Sequence, residues 1–448
     1  MKNRTKRLKL FLLYSAVTLI LAKLILSLFM IPVRIDERVY LPVVFTEAQK
    51  FSEKKLSPKV YEALDSYDEV SGYCFNTYDT APHVKGYAGP IELLVGMKVS
   101  GEITGVSLIS HNETSIYMQK LIDDKFLDRL RYKKVRDDFI LDKDIDGVTH
   151  ATVSANAIAR SMKQSAVTIA NEHLGMNIHQ DGEGRVSKKE VTQTAILLLI
   201  MITSVVLFLT KKSNTFVSLQ KRDSLITGFR DILLIAVLFF VGFYKSSPIS
   251  ITNIINVFYL RLPDLNNIFF YTLIGGFFVV SILFGRLYCG YLCPFSALIE
   301  FVEKIRKKKN RVYDRDLVVI KYIFLWAIII LVIYFNKIEI SSFEPYLALF
   351  SSNRNIFMWI SLVMIFIFTL FYKRIWCRYF CCVGAFLAII APFSPFRTRP
   401  PGSCDSCGAC ARVCPMEIEV KKNPDSSFYE ECIGCQKCHE FCIKSNQS

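Results

Sequence analysis

Six stretches of the chain are apolar enough to be read as crossing a bilayer core of about 30 Å. They are residues 10–31, 194–210, 229–250, 268–284, 317–335 and 356–371. The third is the weakest, because its uninterrupted apolar part, 232–244, is short. Between the first and second runs the pattern changes. Apolar and polar positions alternate over 91–99, Ser100 and Gly101 supply turn residues, and alternation resumes over 103–109, which predicts a β-hairpin. Helical periodicity is expected over 47–67 and 154–174. Residues 35–190 therefore read as an α+β domain inserted between membrane segments.

Charge fixes the expected topology. The 448-residue chain carries a formal net charge of +15 and is 52% hydrophobic. Its cations do not form a nucleic-acid-binding stripe, so nucleic acid is excluded as a partner. They sit instead beside the apolar runs, as in proteins oriented in membrane lipid. Five precede residue 10, and Lys211, Lys212, Lys221 and Arg222 lie between the second and third runs. Lys304, Arg306, Lys307, Lys308, Lys309 and Arg311 lie between the fourth and fifth, while Lys373, Arg374 and Arg378 follow the sixth. The alternate loops carry few cations. The positive-inside rule then predicts a multi-pass protein of the bacterial cytoplasmic membrane with both termini cytoplasmic and residues 35–190 outside. No A-x-A cleavage signal follows the first run, so residues 1–34 read as a retained anchor rather than a signal peptide.

Thirteen of the fourteen cysteines fall between Cys289 and Cys442, which points to metal clusters rather than disulfides. The tail, 401–448, has Cys404, Cys407, Cys410 and Cys414 spaced C-x2-C-x2-C-x3-C, with Pro415 following. Cys432, Cys435, Cys438 and Cys442 repeat the spacing. This is the pattern of a small α+β bacterial-type ferredoxin domain with two [4Fe–4S] clusters, in which the fourth cysteine of each run serves the other cluster. Cys404, Cys407, Cys410 and Cys442 are expected to hold one cluster, and Cys432, Cys435, Cys438 and Cys414 the second. A zinc ribbon is the alternative, but it leaves the third cysteine of each run without a purpose.

A second cysteine pattern lies nearer the membrane. RLYCGYLCPFSA at 286–297 matches RIWCRYFCCVGA at 374–385, and each copy follows an apolar run. If the backbone there is helical, Cys289 and Cys293 share one face, as do Cys377 and Cys381. Two such pairs offer four thiolates to an additional metal or cluster. The competing reading is that these are small buried apolar side chains, and both stay open at this point. Cys382 stands where the first copy has Pro294, and Cys74 is a lone cysteine in the outer domain.

The outer domain contains DGVTHATVS, from Asp146 to Ser154, with Thr149, Ala151 and Thr152 inside it. Alone it is a polar turn opening a helix. The run resembles the signature of FMN-binding domains, as do GYAGPI (Gly86, Tyr87, Gly89) and HNET (Glu113, Thr114) upstream. The resemblance implies FMN carried by a phosphoester on Thr152 and a flavin transferase as partner. The departure from the signature is His150, where Gly is usual. Taken in order, anchor, FMN domain, membrane part with repeated cysteine pairs and ferredoxin tail resemble the NosR/NirI-type membrane flavo-iron–sulfur proteins and the related C subunits of reductive dehalogenases. Cys381-Cys382 departs from their second C-x3-C-P motif.

The expected architecture is a multi-domain membrane protein: anchor 1–34, FMN-binding domain 35–190, α-helical membrane domain 191–400 with five further spans, and ferredoxin domain 401–448. The resemblance implies transmembrane electron transfer to an extracytoplasmic reductase, with quinone as a further redox partner. A redox-sensing regulator and a maturation factor that supplies electrons to a metalloenzyme are the alternatives. Glu344, in the loop after the fifth run, is the candidate to take a proton as a quinol is oxidised, with Tyr346 on the head group; pairing with Lys337 or Arg354 is the alternative. A reporter active only outside the cytoplasm should work when fused near Asp146 and fail near Ser448, and the reverse pattern would invert the whole electron path.

Overall fold

The computed structural model describes residues 14, 15, 18, 21 and 36–448, apart from 55–57, 87–88, 112, 114, 142, 149–150, 180–187, 214–219, 261, 264–266, 307–316, 336–337, 352–355, 399–409, 419–425 and 439–448. Most of the anchor run 10–31 thus lies outside the described residues. The chain divides into two compact units, one of Met30–Val186 with Ile255–Asn267, the other of Met1–Phe29, Ser187–Ile254 and Ile268–Ser448.

In the first unit, five strands form an antiparallel sheet in sequence order: β1 (Lys50–Lys54), β2 (Val60–Leu64), β3 (Val70–Asn76), β4 (Ile91–Lys98) and β5 (Ile103–His111). The hairpin read from alternation is β4–β5. The helix expected over 47–67 is instead β1 and β2. Pro58 interrupts that segment, and Tyr61 opposite Cys74 on β3 ties it into the sheet. Side chains alternate between two cores. Tyr73, Phe75, Leu93, Val95 and Met97 face one side, while Cys74 and Leu94 face the other.

The first core is closed by helix α1 (Thr152–Leu174), which ends at Gly175 in the left-handed conformation. Its residues Ala155, Ile158, Ala159, Met162, Ala166 and Ile169 recur at three- and four-residue spacing and are buried in the same cluster. The second core is closed by Leu41, Val44 and Phe45. Gly96 and Gly105 pair across β4 and β5. A Cβ on either would come within 2.6 Å of the Val44 carbonyl oxygen, so only glycine lets that backbone lie on the sheet.

The second unit is helical. Its elements are α2 (Lys188–Ser213), α3 (Gln220–Val237) running into a π-helix (Leu238–Tyr244), α4 (Ile268–Phe284), α5 (Leu287–Tyr291), α6 (Pro294–Ile305), α7 (Ile320–Phe335), α8 (Tyr346–Phe350), α9 (Ile356–Phe371), α10 (Ile375–Tyr379) and α11 (Cys382–Ile390). Among the described residues two helices are long and apolar enough to cross a membrane, Lys188–Thr210 and Leu317–Phe335. Ile268–Phe284, Ile356–Phe371 and Cys382–Phe393 are shorter apolar helices. The last was not among the six expected runs.

The sequence repeat is a structural repeat. Each copy has an apolar helix, a break at a positive-φ residue (Gly285, Arg374), a five-residue helix bearing the first cysteine, and a second cysteine that caps the next helix. Cys293 and Cys381 are extended, and their sulfurs accept the N–H of Ser296 (3.4 Å) and Gly384 (3.2 Å). The expectation that each pair shares one helical face is therefore corrected. The helix breaks between the cysteines, because the second one is spent as an N-cap.

The described part of the tail packs into this unit. A Cβ on Gly290 would collide with the Ile433 carbonyl oxygen. Gly434, with φ of 69°, lies against Phe208 and Leu287, and the Gln436 amide donates to the Phe208 carbonyl at 3.2 Å. Gly290→Ala should cost about 1–3 kcal/mol by overpacking and expose the tail to protease. Gly275→Ala, whose Cβ meets nothing within 4 Å, should leave both stability and proteolysis near the parent. Equal behaviour of the two variants would show that the tail is not seated on Gly290.

Candidate functional site

Three groups of candidate residues emerge. In the first unit, Glu113 is buried and the Ser154 hydroxyl donates to its Oε2. A Cβ on Gly86 would strike Oε1 of the same carboxylate. Gly86 also donates its N–H to the Gly89 carbonyl at 2.7 Å, and Gly89 has φ of 133°, so the turn depends on glycine. Gly86, Gly89, Glu113 and Ser154 are thereby brought to one place. Thr152 is exposed in the first turn of α1, whose N-cap, Ala151, has no side chain to cap with. Among the described residues no side chain caps that end, and the positive end of the helix dipole suits a phosphate, so an exposed Thr152 hydroxyl there fits a flavin phosphoester. The Asp146 carbonyl accepts from Arg129 at 2.9 Å, which fixes the approach to the turn. Tyr87, Thr114 and Thr149 lie outside the described residues. Cys74 is buried on the sheet and its thiol is pushed up to about 12 by that burial, as suits a packing role.

In the tail, Cys414, Cys432, Cys435 and Cys438 all line one small cavity, walled by Met416, Ile418, Phe428, Ile433 and Gln436. These four are the expected ligands of the second cluster. Among the described residues no three Cys, His, Asp or Glu side chains form a group able to hold a single metal ion. A [4Fe–4S] cube would take one thiolate per iron, and these four are the thiolates that the spacing assigns to one cube. Burial pushes the Cys414 thiol up to about 11 and the Cys432 thiol up to about 12, so iron binding there releases protons. Cys404, Cys407 and Cys442 lie outside the described residues.

The third group is the repeat. Cys293 interacts electrostatically with Cys289 and Cys377, and Cys381 with Cys377 and Cys289, so the thiols of the two copies lie in one neighbourhood, although no three of them form a group able to hold a single metal ion. Arg286 and Arg374, each three residues before the first cysteine of its copy, are buried and act on Cys289 and Cys377 respectively. Nε and Nη2 of Arg286 and Nε of Arg374 are buried without a hydrogen-bond partner. Orphaned cationic donors beside four thiols fit an anionic iron–sulfur centre, whose sulfur atoms accept such bonds. Cys289 also packs against the apolar cluster that contains Cys414 and Cys435, with Cys432 and Cys438 at its edge.

Buried ion pairs join the two cysteine groups. Arg286 Nη1 lies 2.8 Å from Glu431, next to Cys432, and Lys321 Nζ lies 2.6 Å from the same carboxylate. Arg378 Nη1 lies 2.8 Å from Glu417. Glu300 accepts from both arms of Arg230 (2.9 and 2.8 Å), from Arg374 (2.6 Å) and from Lys437 (2.9 Å), which sits between Cys435 and Cys438. Arg374 and Arg378, read above as loop cations, are thus buried in this network. Lys321 was the available signal, since a charge inside an apolar helix normally has a partner or a function.

Glu344 is fully buried, with Oε2 accepting the Ile251 N–H (3.0 Å) and the Tyr346 hydroxyl (2.6 Å), while Oε1 has no partner. The Tyr346 hydroxyl is also 3.1 Å from the Ile249 carbonyl, so it is engaged within the protein rather than open to a head group. Lys337 and Arg354 lie outside the described residues.

A flavin-type fold and two groups of thiols built for iron define a flavo-iron–sulfur protein. Comparison with known sequences agrees. The FMN-binding domain family matches residues 86–167, and the 4Fe-4S binding domain family matches residues 266–312 and 355–401, one match on each copy of the cysteine repeat. The regulatory protein NosR of Stutzerimonas stutzeri is 28% identical over 296 residues, 61% of this chain and 38% of NosR. The uncharacterised protein MJ0750 of Methanocaldococcus jannaschii is 30% identical over 177 residues, 37% of this chain and 72% of that protein. The methylamine utilization ferredoxin-type protein MauN of Methylobacillus flagellatus is 31% identical over 159 residues, 32% of this chain and 54% of MauN. The chain belongs to the NosR-type flavo-iron–sulfur proteins.

Co-expression with a flavin transferase should leave fluorescent FMN on the denatured protein. Thr152→Val should abolish it, whereas Thr149→Val should only reduce it. Covalent flavin retained in Thr152→Val would place the attachment elsewhere.

Proposed function

We propose that the protein carries electrons across a bacterial cytoplasmic membrane, between cytoplasmic iron–sulfur clusters and a flavin on the outer side. The FMN-binding and 4Fe-4S domains and the relatives support an electron-transfer role. The observation that carries the reading is the packing of Cys289 against the apolar cluster of the tail that contains Cys414 and Cys435. It sets Cys289 beside the residues that would hold the second tail cluster. Electron tunnelling falls steeply with distance, so this contact is where a tail cluster passes its electron on.

In this proposal both termini are cytoplasmic, the six runs cross the membrane, and FMN is bonded to Thr152. The flavin, when bound, converts between one-electron and two-electron steps. The exposed Thr152 end of α1 holds its phosphate, and Glu113 with Ser154 fixes the loop beside it. An extracytoplasmic reductase takes the electrons, and quinone is a further donor or acceptor. A second reading, a redox-responsive regulator, is favoured by the word "regulatory" in the name of NosR. Steady turnover with a purified reductase separates the two, since a regulator needs only one change of state.

The test is rapid reduction of the purified full-length protein through its tail, followed by flavin absorbance. Cys289→Ser should slow flavin reduction at least roughly tenfold, equivalent to about 1.4 kcal/mol of barrier, while the tail clusters still reduce at the parent rate. An unchanged flavin rate would remove the repeat thiols from the path.

A further inference from the structure

The two arginines that open the copies of the repeat cross over. In the aligned runs RLYCGYLCPFSA and RIWCRYFCCVGA, Arg286 corresponds to Arg374 and Ser296 to Gly384. Arg374 of the second copy reaches the first, where its Nη1 donates to the Ser296 hydroxyl at 2.6 Å and its Nη2 to Glu300 at 2.6 Å. Arg286 of the first copy reaches the second. A Cβ on Gly384 would lie 3.0 Å from the Arg286 Nη2, 3.4 Å from the Cys377 carbonyl oxygen and 3.5 Å from the Cys381 Cβ. Each arginine thus ends at the residue whose N–H is given to the second cysteine of the other copy, Ser296 to Cys293 at 3.4 Å and Gly384 to Cys381 at 3.2 Å. The exchange is reciprocal, but its two ends differ. Ser296 offers an oxygen, which accepts from Arg374 and donates in turn to the Cys289 carbonyl at 2.6 Å. Gly384 has no side chain to offer.

We propose that glycine at 384 leaves Arg286 as the side chain that donates hydrogen bonds to the sulfur of the repeat centre and so sets its potential, while Arg374 locks the two copies together. This rests on the reading of the thiols as an iron–sulfur centre. Arg286 is buried, and its Nε and Nη2 have no hydrogen-bond partner, whereas Arg374 keeps only Nε without one. Nη1 of Arg286 is spent on the tail, at 2.8 Å from Glu431 and 3.2 Å from the Glu430 carbonyl. The guanidinium is thus held through Nη1 while Nη2 borders the turn of Cys381. Lys321 also lies 2.6 Å from Glu431, so two cations share one carboxylate and positive charge is left over. A buried guanidinium donor without a partner costs free energy, and an acceptor that gains negative charge on reduction recovers it. Hydrogen bonds to sulfur that strengthen as the centre gains an electron favour its reduced state and raise its potential.

The experiment is a spectroscopic redox titration of the full-length protein, in which the signal lost in Cys289→Ser identifies the repeat centre. Gly384→Ser gives Nη2 of Arg286 the acceptor that Ser296 gives Arg374, without changing any charge. The potential should fall by about 59 mV, a tenfold change in a one-electron equilibrium, which is the scale of one hydrogen bond to a charged group. Gly384→Ala brings the same Cβ without the oxygen and should shift the potential much less. Ser296→Ala frees Nη1 of Arg374 and should raise it. A purely structural role for Arg286 expects the parent potential in every variant, with changes in stability alone. That result overturns the proposal, as does a Gly384→Ala shift equal to that of Gly384→Ser. If Gly384→Ser fails to fold, Ser296→Ala decides: a rise supports the proposal and an unchanged potential overturns it. In each of these outcomes the signal dependent on Cys289 persists and the electron path stands. Absence of any such signal overturns the reading of the thiols as well.

Discussion

Glu300 and Glu431 are each surrounded by more positive charge than one carboxylate can balance. Glu300 holds Arg230, Arg374 and Lys437, and Glu431 holds Arg286 and Lys321, nearly all of them buried. Removing one partner from such a group leaves an uncompensated buried charge, which costs on the order of 3–5 kcal/mol. The network therefore acts less as a source of net stability than as a constraint on geometry. It can be satisfied only when the tail loop bearing Glu431 and Lys437 is seated against the repeat. Glycine at position 290 completes the constraint, since that is where the Ile433 carbonyl arrives. The equivalent position in the second copy is Arg378, which reaches Glu417 in the other half of the tail. One copy of the repeat receives the tail by making room and the other by holding a charge.

The excess of cations has a redox meaning. A centre bound by four thiolates would be anionic, and so would each tail cluster. Positive side chains between them lower the free energy of adding electrons and soften the repulsion between neighbouring reduced centres. Arginine suits the task because its guanidinium stays charged when buried and can hold a carboxylate with one edge while offering N–H groups with another. Arg286 shows this division, with Nη1 on Glu431 and with Nε and Nη2 buried without a hydrogen-bond partner.

Much of this was legible in the sequence, for identifiable reasons. The ferredoxin spacing and the cysteine repeat are local patterns, and local patterns survive translation into structure. The hairpin β4–β5 was legible because alternation reports two-sided burial directly. The segment 47–67 was misread because its Glu, Lys, Ala and Leu content favours a helix, while pairing with β3 imposed strands. The helical reading of the C-x3-C pairs failed because spacing cannot show that the second cysteine is an N-cap. The roles of Glu431, Glu417 and Glu300 were invisible. Each is an ordinary acid in a charged stretch until the fold brings an arginine from far along the chain. Arg374 and Arg378 were counted as orienting cations, and the positive-inside rule has no means of telling a loop cation from a buried one.

The two units solve a common problem in a common way. The candidate flavin site sets Thr152 at the uncapped N-terminus of a 23-residue helix, and the repeat sets Cys293 and Cys381 at the N-termini of α6 and α11. In each case the group expected to carry negative charge, a phosphate or a metal-bound thiolate, meets the positive end of a helix dipole, and at Cys293 and Cys381 the sulfur itself accepts an N–H of the first turn. Backbone donors of this kind stabilise an anion without a titratable partner, so their contribution does not change with pH.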